Sequence, residues 1–219
     1  MPVELMGDFF NRRLDSLEER MLASEGAEYF YSLSASLLPS FGGAKLLDLG
    51  CGTGLELDFY FRLHPEANVS VTCVDLADEL MAVLKKKHEN RDITLIHDSY
   101  FDVDFGKNSF DGIISVESLH HFTREKKVAL YKRILDALVP GGIYVETDYV
   151  AKTEEIEKEK YEEALRRRRE AGVPDDVFVH LDTPHTKEHL LEMYKEAGFD
   201  DIKCLYDEDV AVFALRKAK

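Results

Sequence analysis

Three acids and three glycines sit at regular places in the first half of the chain. Asp48 lies inside the apolar run KLLDL (45–49), and Gly50, Gly52 and Gly54 follow it on alternate positions. Asp75 closes VSVTCVD (69–75), and Asp98, followed by Ser99, closes ITLIHD (93–98). Alternate glycines let a backbone turn sharply and come close to a ligand with no Cβ in the way. A helix starting just beyond them presents free N–H groups. Carboxylates accept hydrogen bonds from hydroxyl and amino groups and attract positive charge. Together the set suits a ligand with several donors and a positive charge. It suits a pyrophosphate poorly, and the dinucleotide pattern G-x-G-x-x-G is not met, because Leu55 stands where its third glycine belongs.

A second group of reactive side chains lies further along. Glu117, His120 and His121 fall within SVESLHHF, and Asp148 and Tyr149 follow IYVET. An imidazole titrates near neutral pH and suits a general base, although a loop histidine pair also serves as structure. Asp148 suits a pocket acid or a turn cap. His180, Asp182, His185 and His189 invite a metal reading. His185 and His189 are four apart, yet no catalytic zinc signature is completed, so we expect surface or substrate-facing histidines and no bound metal.

The order of elements says how these residues meet. Phe10, Leu14, Leu17 and Met21 step by four, three and four, and Ala27, Phe30, Ser34 and Leu37 continue at similar spacing, which predicts helices over 1–40. Pro39 and FGG (41–43) stop them. Short apolar runs at 45–49, 69–75, 93–98, 110–116 and 143–148 then alternate with helical stretches. One of these runs from Leu55 to His64, one carries Leu80, Met81 and Leu84 behind a capping Asp78, and one carries Val128, Tyr131, Leu135 and Leu138 behind a capping Thr123. PGG (140–142) turns into the fifth strand. Such alternation argues for right-handed crossovers and a parallel sheet covered on both faces, with ligands beyond the carboxyl ends of the strands. A helix at 187–197, closed by Gly198, precedes DIKCLY (201–206) and VAVFALR (210–216). Only DED joins those two runs, so they predict an antiparallel edge hairpin. The stretch 152–170 has few apolar residues and pairs Glu154, Glu162 and Glu163 with a basic residue four positions on, as a solvent-facing helix does. The Arg166–Arg169 run belongs to that solvated face.

Composition excludes several classes. With 45% apolar and 32% charged residues, the 219-residue chain has material for one domain with a sizeable core. A net charge of −15 repels phosphate backbones and disfavours nucleic acid as a partner. No apolar run approaches a membrane span of roughly 18 residues. No signal peptide is read at the N-terminus, and Cys51, Cys73 and Cys204 are too few and scattered for a disulfide framework, which points to a cytoplasmic protein.

Taken in order, LLDLGCGTGLEL, VTCVDLADEL, ITLIHDSY, FDGIISVESLHHF and LDALVPGGIYVETDY resemble the class I S-adenosylmethionine-dependent methyltransferases over residues 45–148. The resemblance implies an α/β, Rossmann-like three-layer fold with a seven-stranded mostly parallel sheet, order 3-2-1-4-5-7-6, and an antiparallel C-terminal strand. It implies S-adenosylmethionine as cofactor and S-adenosylhomocysteine as product. Asp48, Gly50, Cys51, Gly52 and Gly54 would lie along its methionine part and ribose. Asp75 with Leu76 would hold the ribose, Asp98 and Ser99 the adenine, and Val116 and Glu117 would border it through the backbone. His120, Asp148 and Tyr149 are the expected catalytic residues. No proline-containing run of the amino-methylating DNA enzymes follows strand four, and only one glutamate of the protein-arginine pattern is present. A small-molecule acceptor is therefore expected, met by in-line methyl transfer. A non-catalytic or regulatory S-adenosylmethionine-binding protein is the alternative on the same fold. One domain, 1–219, is expected: helical lid (1–40), cofactor core (41–150), insertion or lid helix (151–185), then C-terminal helix and hairpin (186–219).

Overall fold

The computed structural model describes residues 3–174 and 176–219. Seven strands form one sheet in the order β3-β2-β1-β4-β5-β7-β6. β1 (Lys45–Leu49), β2 (Ser70–Asp75), β3 (Asp92–His97), β4 (Phe110–Val116) and β5 (Leu138–Tyr149) run parallel. β7 (Val210–Arg216) pairs antiparallel with both β5 and β6 (Asp201–Asp207), so the terminal hairpin is as the sequence predicts.

The pleat sends alternate residues into two cores. Leu46, Ile114, Val145 and Val212 face α3 (Ala27–Leu37), α4 (Leu55–Leu63) and α5 (Asp78–Lys87). Leu47, Ile113, Tyr144 and Phe213 face α6 (Arg124–Ala137) and α8 (Lys187–Ala197). Both faces are covered, which is why the strands read as nearly continuous apolar runs.

Four details differ from the sequence reading. The N-terminal helix is broken: α1 (Met6–Asn11) passes through a 3-10 turn (Leu14–Ser16) into α2 (Leu17–Leu22). The break follows the docking of Asn11, whose side chain bonds Asp78 Oδ1 at 2.9 Å and accepts Glu79 N–H at 3.2 Å. That bond also corrects the capping assignment, since Asp78 is the first residue of α5 and Ala77 holds the N-cap position. Thr123 is at the N-cap of α6 but its side chain makes no cap bond there. β5 begins five residues before Ile143: Leu138 already pairs with Phe110, and PGG is a bulge within the ladder.

The segment expected to cover the site divides in two. α3 is part of the core, with Phe30, Tyr31 and Ala35 fully buried and Tyr31 stacked on Phe59. α1 and α2 instead lie over the carboxyl edge of the sheet. α7 (Glu154–Glu170) buries only Ala164 and carries Lys158–Glu162 and Arg166–Glu170 ion pairs along its exposed side.

Candidate active site

The chain leaves β1 through Gly50, whose φ of +79° favours glycine. A Cβ there would meet Ser118 Oγ at 2.0 Å, so the turn has no room for a side chain. At Gly52 (φ +46°) the reason differs: an added Cβ would meet nothing nearer than Leu80 Cδ1 at 3.8 Å, and open space lies in front of the backbone. Gly54 is the N-cap of α4, so the first amides of that helix begin directly behind the turn. Asp75, at the end of β2, ties the turn down. Its Oδ2 accepts Gly52 N–H and its Oδ1 accepts Ala77 N–H, each at 2.8 Å.

A cavity of about 680 Å³ opens above this turn. Gly50, Cys51, Gly52, Asp75, Leu76, Val116 and Glu117 line it. Met6 and Phe10 of α1 and Leu17 and Met21 of α2 close its far side, which brings the apolar N-terminal stripe to the site. Asp48, Gly54, Asp98 and Ser99 are not among its lining residues. Asp98 is exposed and its Oδ1 accepts the Ser99 N–H at 2.7 Å. Glu56, Tyr100, Ser118 and Phe122 also line it, none of them singled out by the sequence, and so does His121, one of its candidate bases. Of these, Glu56 carries a signal, being an acid flanked by Leu55 and Leu57 at the start of α4.

Asp48 is fully buried, and its carboxylate oxygens and Glu56 Oε1 have no hydrogen-bond partner other than each other. Burial pushes both carboxyls well above their ordinary range, and the two groups act on each other. A proton shared between them satisfies the pair, and so does a cation brought into the cavity. The donor set therefore fits S-adenosylmethionine: space over Gly52, a ribose-type acceptor at Asp75, and negative charge held in reserve at Asp48 and Glu56.

The other wall is the loop 117–122 after β4. Glu117 sits at φ +48°, a left-handed conformation rare outside glycine. Its Oε2 accepts the Tyr31 O–H at 2.7 Å, and Tyr149 also bonds it. Burial raises its carboxyl, against those two bonds. Asp148 holds the loop from β5: Oδ2 accepts Leu119 N–H at 2.7 Å, and Oδ1 meets His120 Nδ1 at 2.5 Å. Burial opposes a charged His120, but Asp148 outweighs it and keeps the ring above its usual value, while His120 holds Asp148 below its own. The three residues expected to be catalytic are thus gathered here, yet none of them lines the cavity; His121 does. Burial, with His120 alongside, pushes His121 down to about 4. His185 and His189 share one acid instead: their Nδ1 atoms each lie 2.9 Å from a Glu157 oxygen.

A seven-stranded sheet in this order, with a glycine turn and an acid at the ends of β1 and β2, defines the class I methyltransferase fold. The model of the methyltransferase domain matches residues 46–142, the part of the chain that runs from β1 into β5. The chain is similar to the 24-methylenesterol C-methyltransferase 2 of Arabidopsis thaliana, 27% identical over 165 residues, covering 74% of this chain and 43% of that protein. A human protein named for tRNA methyltransferase 9B is 32% identical over 107 residues, covering 47% of this chain and 21% of its own length. The chain thus spans less than half the length of these two relatives. The crystal structure of human N-acetylserotonin methyltransferase with S-adenosylmethionine superposes with a TM-score of 0.67 at 18% identity, covering 97% of this chain and 57% of that one.

Proposed function

We propose that this protein binds S-adenosylmethionine in the cavity over Gly52 and transfers its methyl group to a small molecule. The observation that carries the reading is the joint placement of Gly52, Glu56 and Asp75 around one cavity, with the buried Asp48 carboxyl interacting with Glu56 outside the lining. When bound, the cofactor supplies a methyl group on a positively charged sulfur, open to in-line displacement. Asp75 would hold the ribose hydroxyls, Asp48 and Glu56 would balance positive charge, and the α4 amides would face the carboxylate end. Met6, Phe10, Leu17 and Met21 keep water from the reacting atoms.

On the acceptor side, Glu117, Ser118 and His121 have access to the cavity. His120 and Asp148 act from one layer behind, fixing the loop that carries them, and Tyr149 acts through Glu117. The chain's own contribution is orientation and exclusion of water, with proton transfer at Glu117 or His121 only for an acceptor that arrives protonated. A small acceptor is supported by the apolar closure of the cavity and by the sterol-directed name of one relative. The net charge of −15 weighs against a nucleic-acid acceptor such as the other relative's name indicates. No helix among the described residues is long and apolar enough to cross a membrane. Three free cysteines fit a reducing compartment, which we take to be the cytoplasm. Calorimetry with S-adenosylmethionine and S-adenosylhomocysteine, followed by turnover on a panel of small amines, phenols and acids, tests the reading. Absence of cofactor binding would overturn it.

A further inference from the structure

Next to the cofactor cavity, the fold assembles a donor set from distant parts of the chain. His120 and His121 come from the loop after β4, and Asp182 from the segment before α8. One ligand atom from each lies within 4.8 Å of the other two. Asp182 Oδ1 is 3.1 Å from His121 Nδ1 and 3.8 Å from His120 Nε2, and His180 Nε2 is 3.7 Å from the same oxygen. Donors bonded to one small divalent ion at about 2.0–2.2 Å stand roughly 3–3.5 Å apart, so small side-chain rotations close this set on a metal.

Two further observations point to a ligand. The His121 side chain is 2% exposed, yet Nε2 has no hydrogen-bond partner and Nδ1 meets only the Asp182 carboxylate. A buried ring nitrogen with no partner is unfavourable unless something else takes its lone pair. His120 is held on its other nitrogen by Asp148 Oδ1 at 2.5 Å. That is the carboxylate support that metal-binding histidines use to fix the tautomer, leaving Nε2 as the donor atom. Asp182 keeps a side chain 55% exposed, so coordination positions remain open on that side.

We propose that His120, His121 and Asp182 bind one first-row divalent transition-metal ion of the zinc or cobalt kind, beside the methyl-acceptor space. Two imidazoles and one carboxylate suit such borderline ions, whereas magnesium and calcium want oxygen donors. Because His121 also lines the cofactor cavity, an acceptor oxygen or nitrogen entering there can complete the coordination. The sequence reading expects no metal because His180, Asp182, His185 and His189 complete no zinc signature. The fold pairs Asp182 with His120 and His121 instead, a juxtaposition of residues 61 or 62 positions apart that no local motif displays.

The test uses the full chain stripped with chelator and titrated with cobalt(II), whose ligand-field absorption reports its donors, with zinc as competitor. We expect one equivalent bound by the wild type, and at least tenfold weaker binding in Asp182→Ala and His121→Ala. His185→Ala should bind as wild type does. Circular dichroism confirms folding of each variant, and the half-exposed Asp182 carries the test alone if His121→Ala does not fold. No stoichiometric binding by the wild type overturns the proposal, as does binding unchanged in Asp182→Ala or lost in His185→Ala. The readout is metal binding, so its outcome is separate from that of the methyl-transfer reading.

Discussion

Glu117 Oε2 and the Tyr31 hydroxyl are 2.7 Å apart, and this bond joins the left-handed residue after β4 to the core helix α3. Both groups are buried, so the bond satisfies an acceptor largely withdrawn from bulk water. Tyr31→Phe removes the donor and keeps the ring that stacks on Phe59. We expect a loss of about 1–3 kcal/mol in unfolding free energy, the cost of a buried acceptor left short of a partner. Urea unfolding of the variant against wild type measures it. A loss indistinguishable from zero would show that Tyr149 alone suffices to hold Glu117.

Asp75 has two tasks, since it holds the Gly52 and Ala77 amides and faces the cavity. Asp75→Ala should lower affinity for S-adenosylmethionine by about 2–4 kcal/mol, because a charged acceptor of two hydroxyl bonds is lost. It should also lower stability in the free protein, which a ribose contact alone would not do. Calorimetry and thermal unfolding separate the two effects. Unchanged cofactor affinity would remove the ribose assignment.

Asp48 and Glu56 give the protein a pH dependence with a definite sign. Burial raises both carboxyls, so the folded state keeps protons that the unfolded chain releases near pH 4. Above that pH the native state binds more protons than the unfolded one, and stability falls as pH rises toward the raised values. Glu56→Gln should therefore flatten the decline in melting temperature between about pH 5 and 8. The same change should weaken binding of the cationic cofactor more than binding of its neutral-sulfur product. Parallel melting curves for variant and wild type across that range would contradict the pairing.

Much of this was legible in the sequence for a physical reason. The strands and the glycine turn are local patterns, with apolar runs such as Leu46 and Leu47 and alternate glycines closing a strand, whereas the strand order followed from the family resemblance. Gly52 and Asp75, singled out by strand-end position, line the cavity. Contacts between distant segments were not legible. Nothing near His120 announces Asp182, and nothing near Tyr31 announces Glu117. The broken α1–α2 stretch was invisible as well, because the docking of Asn11 on α5 is a tertiary contact that overrides helical spacing.

Glu157 anchors the exposed helix α7 to the start of α8, and its removal should release that helix. One Glu157 oxygen lies 2.9 Å from His185 Nδ1, the other accepts Thr186 N–H at 2.6 Å, and His189 Nδ1 is 2.9 Å away. α7 buries little else, with Ala164 its one buried side chain among the described residues, so few contacts would replace this anchor. Burial pushes the Glu157 carboxyl up, but His185, the Thr186 amide and His189 outweigh it and hold it below its usual value. Its contribution is thus full above the unfolded value of about 4.3 and fades as pH falls through the lower folded one. Glu157→Ala should speed amide exchange across 154–170 by roughly tenfold or more at neutral pH, equivalent to about 1.5–3 kcal/mol for bonds to a charged acceptor. Exchange in α6 should stay as in wild type. Equal protection of α7 in variant and wild type would mean that the helix is held by its packing on 177–181, and that Glu157 serves only the two histidines.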